Sequence, residues 1–190
     1  MGRAIRYSML GLFCIALFGC SDYGTTAIEK GAALDQEPKA INNRMHGPAN
    51  IQRNYRTHLS GKTEVPEPVD TKAQGEAIFK LSKDGSYISY KLIVANIENV
   101  FMAHIHLAPE GVNGPVGVWL YPGDGPPPQL IEGTTNGILA EGVIMVDDLT
   151  GPLAGNDSLE QLLDAMQNGG AYVNVHTTQN PAGEIRGQIF

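Results

Sequence analysis

Two histidines one residue apart, His104 and His106, lie in the stretch Phe101 to Tyr121, FMAHIHLAPEGVNGPVGVWLY. On a β-strand alternate side chains share a face, so both imidazoles point the same way with Met102, and Ala103, Ile105 and Leu107 point the other. A third histidine, His176, lies near the C-terminus, where Tyr172, Asn174 and His176 alternate with Val173 and Val175. If the two stretches are neighbouring strands, three imidazoles converge. Imidazole nitrogens suit Cu or Zn, and a His-x-His strand can offer two of them to one ion while its neighbour supplies the third. Glu184 could then be a fourth ligand or accept an imidazole N–H, with Asn174 and Arg186 as supporting residues. The competing arrangement needs no metal: the histidines bond to Asn174, Glu184 and Arg186 in a buried polar network that sets strand register. An unperturbed histidine titrates near 6.5, so metal bound this way is expected to weaken as the pH falls through about 6 to 7.

Other chemistry is sparse. The chain has no nucleophile elbow, P-loop, zinc-protease helix or Cys-x-x-Cys, so no catalytic residue is assigned and metal chemistry is the one concrete enzymatic route. Glu184 and Arg186 share one strand face and read as an ion pair or a solvated edge. Asp147 and Asp148, with Asp157 nearby, could offer oxygens to calcium, but without an EF-hand pattern they read as turn and helix-entry residues. Trp119 reads as a core tryptophan on its strand.

The elements that would position the histidines are strands. Tyr55, Thr57 and Leu59 begin the periodic pattern. Ala77, Phe79 and Leu81 then alternate with polar neighbours, Lys83-Asp84-Gly85-Ser86 turns the chain, and Tyr87 to Val94 runs back as a hairpin. Asn96 to Asn99 form a short connection into the histidine strand. Val116 to Tyr121, Ile138 to Val146, Ala171 to Thr177 and Glu184 to Phe190 read as further strands. One helix begins near Ser158, carries Leu159, Leu162, Leu163 and Met166 on one side, and stops at Gly169-Gly170. Short strands separated by turn signals predict an all-β fold, an antiparallel Greek-key sandwich or barrel with one short helix.

The 190 residues allow one domain once the N-terminal part is set aside. Arg3 and Arg6 precede an apolar run from Met9 to Phe18, and Leu17-Phe18-Gly19-Cys20 closes it, so residues 1–19 read as a secretory signal too short to span a membrane comfortably. That tetrapeptide resembles the bacterial lipobox, which implies lipidation at Cys20 and membrane attachment through the lipid. Ser21 after the cysteine resembles sorting to the outer membrane, so the expected location is the bacterial cell envelope, facing periplasm or exterior. From there to about residue 50 the chain reads as a flexible tether, with the β domain over 51–190. Cys14 lies inside the signal, so the mature domain has no disulfide. Loss of Arg3 and Arg6 moves the net charge from −7 to −9, a poor match for nucleic acid.

Four blocks, LSGKTEVPEPV, AHIHLAPEGVNGPVGVWL, DLTGPLAG and YVNVHTTQNPAGEIRGQI, resemble the CHRD domain, a module first named in chordin and found in many bacterial exported proteins. The resemblance covers about Tyr55 to Phe190 and implies an immunoglobulin-like or superoxide-dismutase-like Greek-key architecture. It implies far less about activity, because the cysteine-rich modules of the animal growth-factor antagonists have no counterpart here. Three functions stand. The first is a lipid-anchored envelope binding module with an envelope or extracellular protein partner and a transition metal on the strand histidines. The others are a copper-dependent redox enzyme and a purely structural envelope protein.

Overall fold

The computed structural model describes residues 52–190. The expected signal segment, Cys20 and the expected tether lie outside the described residues. Within them no helix is long and apolar enough to cross a membrane. Seven strands and one helix follow in order: β1 (Asn54–Ser60), β2 (Gln74–Leu81), β3 (Ile88–Leu107), β4 (Val116–Tyr121), β5 (Ile131–Ile144), α1 (Glu160–Gln167), β6 (Ala171–Thr177) and β7 (Ile185–Gln188).

All pairings among these strands are antiparallel. The order β2-β1-β7-β6-β3 closes on itself because β2 also pairs with β3, giving a five-strand barrel, and β4 and β5 add to β3 as extra strands. The expected antiparallel β architecture is therefore present in its barrel form, with one short helix.

Alternation builds the first hairpin. Tyr55, Thr57 and Leu59 of β1 and Gly75, Ala77, Phe79 and Leu81 of β2 are buried, and their neighbours are solvated. The turn into β3 is held by the Asp84 carboxylate, which accepts bonds from the Ser82 hydroxyl at 2.7 Å and the Ser86 amide at 3.1 Å.

β3 organises the rest. Its first half pairs with β2 and its second with β6, so it must turn from one neighbour to the other. The stretch Asn96 to Asn99, expected as a connection, is instead part of this continuous 20-residue strand. Asn96 and Asn99 take positive φ values of 55° and 52°, and the register against β5 shifts on either side of Ile97 and Glu98. Asparagine tolerates this left-handed conformation better than most residues, and the bulges bend the strand without ending it.

β5 starts at Ile131, seven residues before the expected start at Ile138. It pairs only with β3, and most of its side chains are exposed, so its first half carries Thr, Asn and Gly without an apolar alternation to announce it. After β5, Asp148 accepts the Met145 amide at 2.7 Å, which is the turn role expected of it. Leu159, Leu162, Leu163 and Met166 of the helical segment are buried in the main core with Ala103, Ile105, Val173, Val175 and Ile185.

Candidate metal centre

The core takes the odd-numbered residues of β6. Its even-numbered residues, on the face opposite the core, are buried too, and all seven residues of the strand are closed from solvent. Register across to β3 then fixes the neighbours: Met102 lies opposite His176, His104 opposite Asn174 and His106 opposite Tyr172. A strand interior on its core side has become polar and aromatic on its other side, under a cover of loops.

The three histidines meet there. Ring centroids are 5.4 Å apart for His104 and His106, 5.1 Å for His104 and His176, and 5.9 Å for His106 and His176. One ligand nitrogen from each lies within 4.8 Å of the others. His104 and His176 are only 2% and 4% exposed.

Backbone carbonyls set two of the tautomers. His106 Nδ1–H donates to the Gly114 carbonyl at 2.9 Å, and His176 Nδ1–H donates to the Pro181 carbonyl at 3.1 Å. Each ring is thereby left with its Nε2 as a bare lone pair. The His106 Nε2 is buried with no hydrogen-bond partner. The His176 Nε2 faces His104 Nδ1 at 3.2 Å, and the far nitrogen of His104 is buried and unpartnered. With a proton on His104 Nδ1 this contact is a hydrogen bond. With the proton on the far nitrogen, two lone pairs face each other and only a cation can sit between them. Two nitrogens bound to one tetrahedral ion at 2.0–2.1 Å lie about 3.3 Å apart, which is close to the spacing present.

Burial also keeps the rings neutral. Desolvation first, then the neighbouring His176 and His106, hold His104 down to about 3. Desolvation and then His106 hold His176 down to about 4, although the Pro181 carbonyl favours its charged form. His106 is lowered by burial, against the pull of the Gly114 carbonyl, and Arg186 lowers it further.

A second tier holds His106 in place. Tyr172 stacks on its ring at 4.9 Å with the planes 9° apart, and the Arg186 guanidinium lies 3.5 Å over the Tyr172 ring. The Tyr172 hydroxyl accepts the Gly114 amide at 3.1 Å, so Gly114 is gripped from both sides by the pair it connects. A methyl at Gly114 would overlap the Leu107 carbonyl, which explains glycine there. Arg186 donates to the Asn113 side chain at 3.1 Å and to the Val112 carbonyl at 2.8 Å, fixing the same loop.

The other expected site residues fall elsewhere. None of the three imidazoles bonds to Asn174, Glu184 or Arg186, so the metal-free network has different wiring from the one expected. Glu184 is not part of the three-histidine group: its carboxylate accepts from Thr71 at 2.7 Å, Thr177 at 2.6 Å and Asn180 at 3.2 Å. It ties the end of β6 to two loops. Trp119, expected in the core, is half-buried instead and packs edge-on against His104 at 4.2 Å, because it lies opposite that histidine on β4.

Glu64 is the residue that sequence reasoning passed over. It is 5% exposed, and the Asn174 amide donates to both its oxygens at 3.2 Å. Burial pushes its carboxyl up to about 7, against the lowering effects of Asn174, Arg186 and the Val65 amide. It lines a cavity of about 230 Å³ with Lys62, Glu110, Arg186 and Gln188. Its place within LSGKTEVPEPV was the available signal, an acid set in a proline-bounded loop.

No curated protein and no solved structure matches the chain. The family model for the CHRD domain matches residues 55–189, a span that holds all three histidines, Glu64, Tyr172 and Arg186. The chain therefore belongs to the CHRD domain family.

Proposed function

We propose that this CHRD domain is a transition-metal-binding module of the bacterial cell envelope, holding one copper or zinc ion through His104, His106 and His176. The observation that carries the reading is the pair of carbonyl-fixed tautomers: His106 and His176 each commit Nδ1–H to a backbone oxygen and keep Nε2 free. A network built only for stability would give the buried His106 Nε2 a partner, since an unpaired buried polar atom costs about 1–3 kcal/mol. A bound ion supplies that partner, and the carbonyls then play the orienting role that metal-bound imidazoles require. Attachment through lipidated Cys20 is part of the same proposal and rests on the signal-like run that precedes it. A partner protein at the envelope would then meet a domain tethered by the roughly thirty residues between the cysteine and β1.

Elemental analysis of protein purified without chelator, followed by calorimetry with Cu²⁺ and Zn²⁺, tests the metal. One ion per chain is expected, with copper the tighter because the site selects by intrinsic affinity. His106→Ala should remove most of the affinity and leave the barrel folded. Absence of a saturable site tighter than about micromolar would refute the reading. For the anchor, Cys20→Ser should move the protein from the membrane to the soluble fraction, and an unchanged partition would rule lipidation out.

A further inference from the structure

All three ligands of the proposed centre are neutral, and no carboxylate belongs to the group. The two buried acids on that side of the barrel are committed elsewhere: Glu184 to Thr71, Thr177 and Asn180, and Glu64 to Asn174. The charged group stacked behind the ligands, one ring removed, is positive. Arg186 lies against Tyr172, which lies against His106. A divalent ion there would carry its full charge in a desolvated site with a guanidinium one aromatic ring away, an arrangement that is unfavourable unless a counter-charge comes with it.

A four-coordinate ion held by three histidine nitrogens would have one position left to fill; structural sites fill it with protein, whereas open sites fill it from solution. The cover over the centre reaches the surface: Phe101 and Trp119, whose rings lie against His176 and His104, and Met102, opposite His176, are each only half-buried.

Resting on the metal reading above, we infer that the centre is an open one, whose fourth ligand is a small exogenous anion: hydroxide in water, or a compact inorganic anion such as azide in its place. The filled site then carries one net positive charge with a divalent ion. Its substrates or effectors are small anionic ligands of at most three heavy atoms.

The test uses the full chain loaded with one equivalent of Cu²⁺. Electron paramagnetic resonance in ¹⁷O-enriched water should show broadened copper lines from a coordinated solvent oxygen. Azide should abolish that broadening and add a near-ultraviolet charge-transfer band that saturates at one azide per copper. Phe101→Ala, which removes one side chain of that cover and replaces no ligand, should raise the rate of azide entry by at least about tenfold. A copper signal that shows neither ¹⁷O broadening nor any response to azide means a closed shell, as a Met102 thioether would make it. That result overturns the open site while the metal reading survives. Failure to bind copper at all removes both.

Discussion

Glu64→Gln should stabilise the metal-free protein at pH 8 and do much less at pH 4.5. In the folded protein the Glu64 carboxyl is raised from its ordinary 4.5 to about 7, and burial is the main cause. A group whose folded value lies above its unfolded value binds its proton more tightly when folded. Its contribution is therefore most favourable below the unfolded value and is lost as the pH rises through the folded one, here between about 4.5 and 7. Each pH unit of separation is worth 1.36 kcal/mol, so a fully shielded carboxylate would cost about 3 kcal/mol above pH 7. Glu64 borders a cavity of about 230 Å³ open to solvent, and screening from that side trims the figure to about 2 kcal/mol. Glutamine keeps the shape and one acceptor for Asn174 but cannot ionise, so it escapes the penalty. Urea denaturation of both proteins at steps between pH 4.5 and 8, with chelator present, reads the difference directly. The gap in unfolding free energy should widen by about 2 kcal/mol toward high pH. A gap that stays flat, or that narrows as the pH rises, would show that Glu64 ionises normally and that the desolvation argument is wrong.

Three further outcomes follow from the same geometry. Tyr172→Phe keeps the ring on His106 but loses the acceptor for the Gly114 amide; it should cost about 1 kcal/mol by thermal unfolding and weaken metal binding about tenfold by calorimetry. Gly183→Ala should destabilise the fold by about 2 kcal/mol in denaturant melts, because Gly183 has φ +140° and its new methyl would overlap the Asn174 amide. Metal affinity should be lost at a pH below the 6 to 7 of ordinary histidines, since burial lowers all three rings and holds His104 and His176 at about 3 and 4; a competition titration that shows loss centred at 6.5 would return these rings to ordinary behaviour.

That last outcome departs from the expectation for unperturbed histidines, and the departure marks where sequence stops being readable. His104 and His106 were visible because strand periodicity alone puts them on one face. His176 was visible as a partner because its own strand alternates in the same way. Their meeting depends on β3 pairing with β6 across 72 residues of chain, which only tertiary structure supplies. The carbonyls of Gly114 and Pro181 left no trace, since every residue carries a carbonyl and only the fold decides which one faces a ring. Trp119 was misplaced for a similar reason: an aromatic on a short strand fits the core by composition, and the bulged register of β4 against β3 turns it toward His104 instead. The bend in β3 was readable as an interruption at Asn96 to Asn99 but not as a continuous strand, because two left-handed asparagines look the same in sequence whether they end a strand or bulge it.

The position of the histidines outside the apolar core decides what metal can do for stability. Ala103, Ile105, Val173 and Val175 hold β3 and β6 in the core regardless of the imidazoles, so the barrel does not wait for an ion to form. The carbonyls that orient the imidazoles lie in loops: Gly114 between β3 and β4, and Pro181 between β6 and β7. An ion bound by His106 and His176 would therefore tighten those two loops against one sheet face while the core stays as it is. The folded state gains RT ln(1 + [L]/Kd), about 2.7 kcal/mol at a hundredfold excess over Kd, and the gain should appear first as slowed amide exchange in residues 111–115 and 178–183. Amides of the core residues on β6 should slow only by as much as global unfolding is suppressed. If protection instead rose equally in both loops and core, the ion would be acting on the whole fold, and the centre would have to be counted as part of what makes the barrel stable.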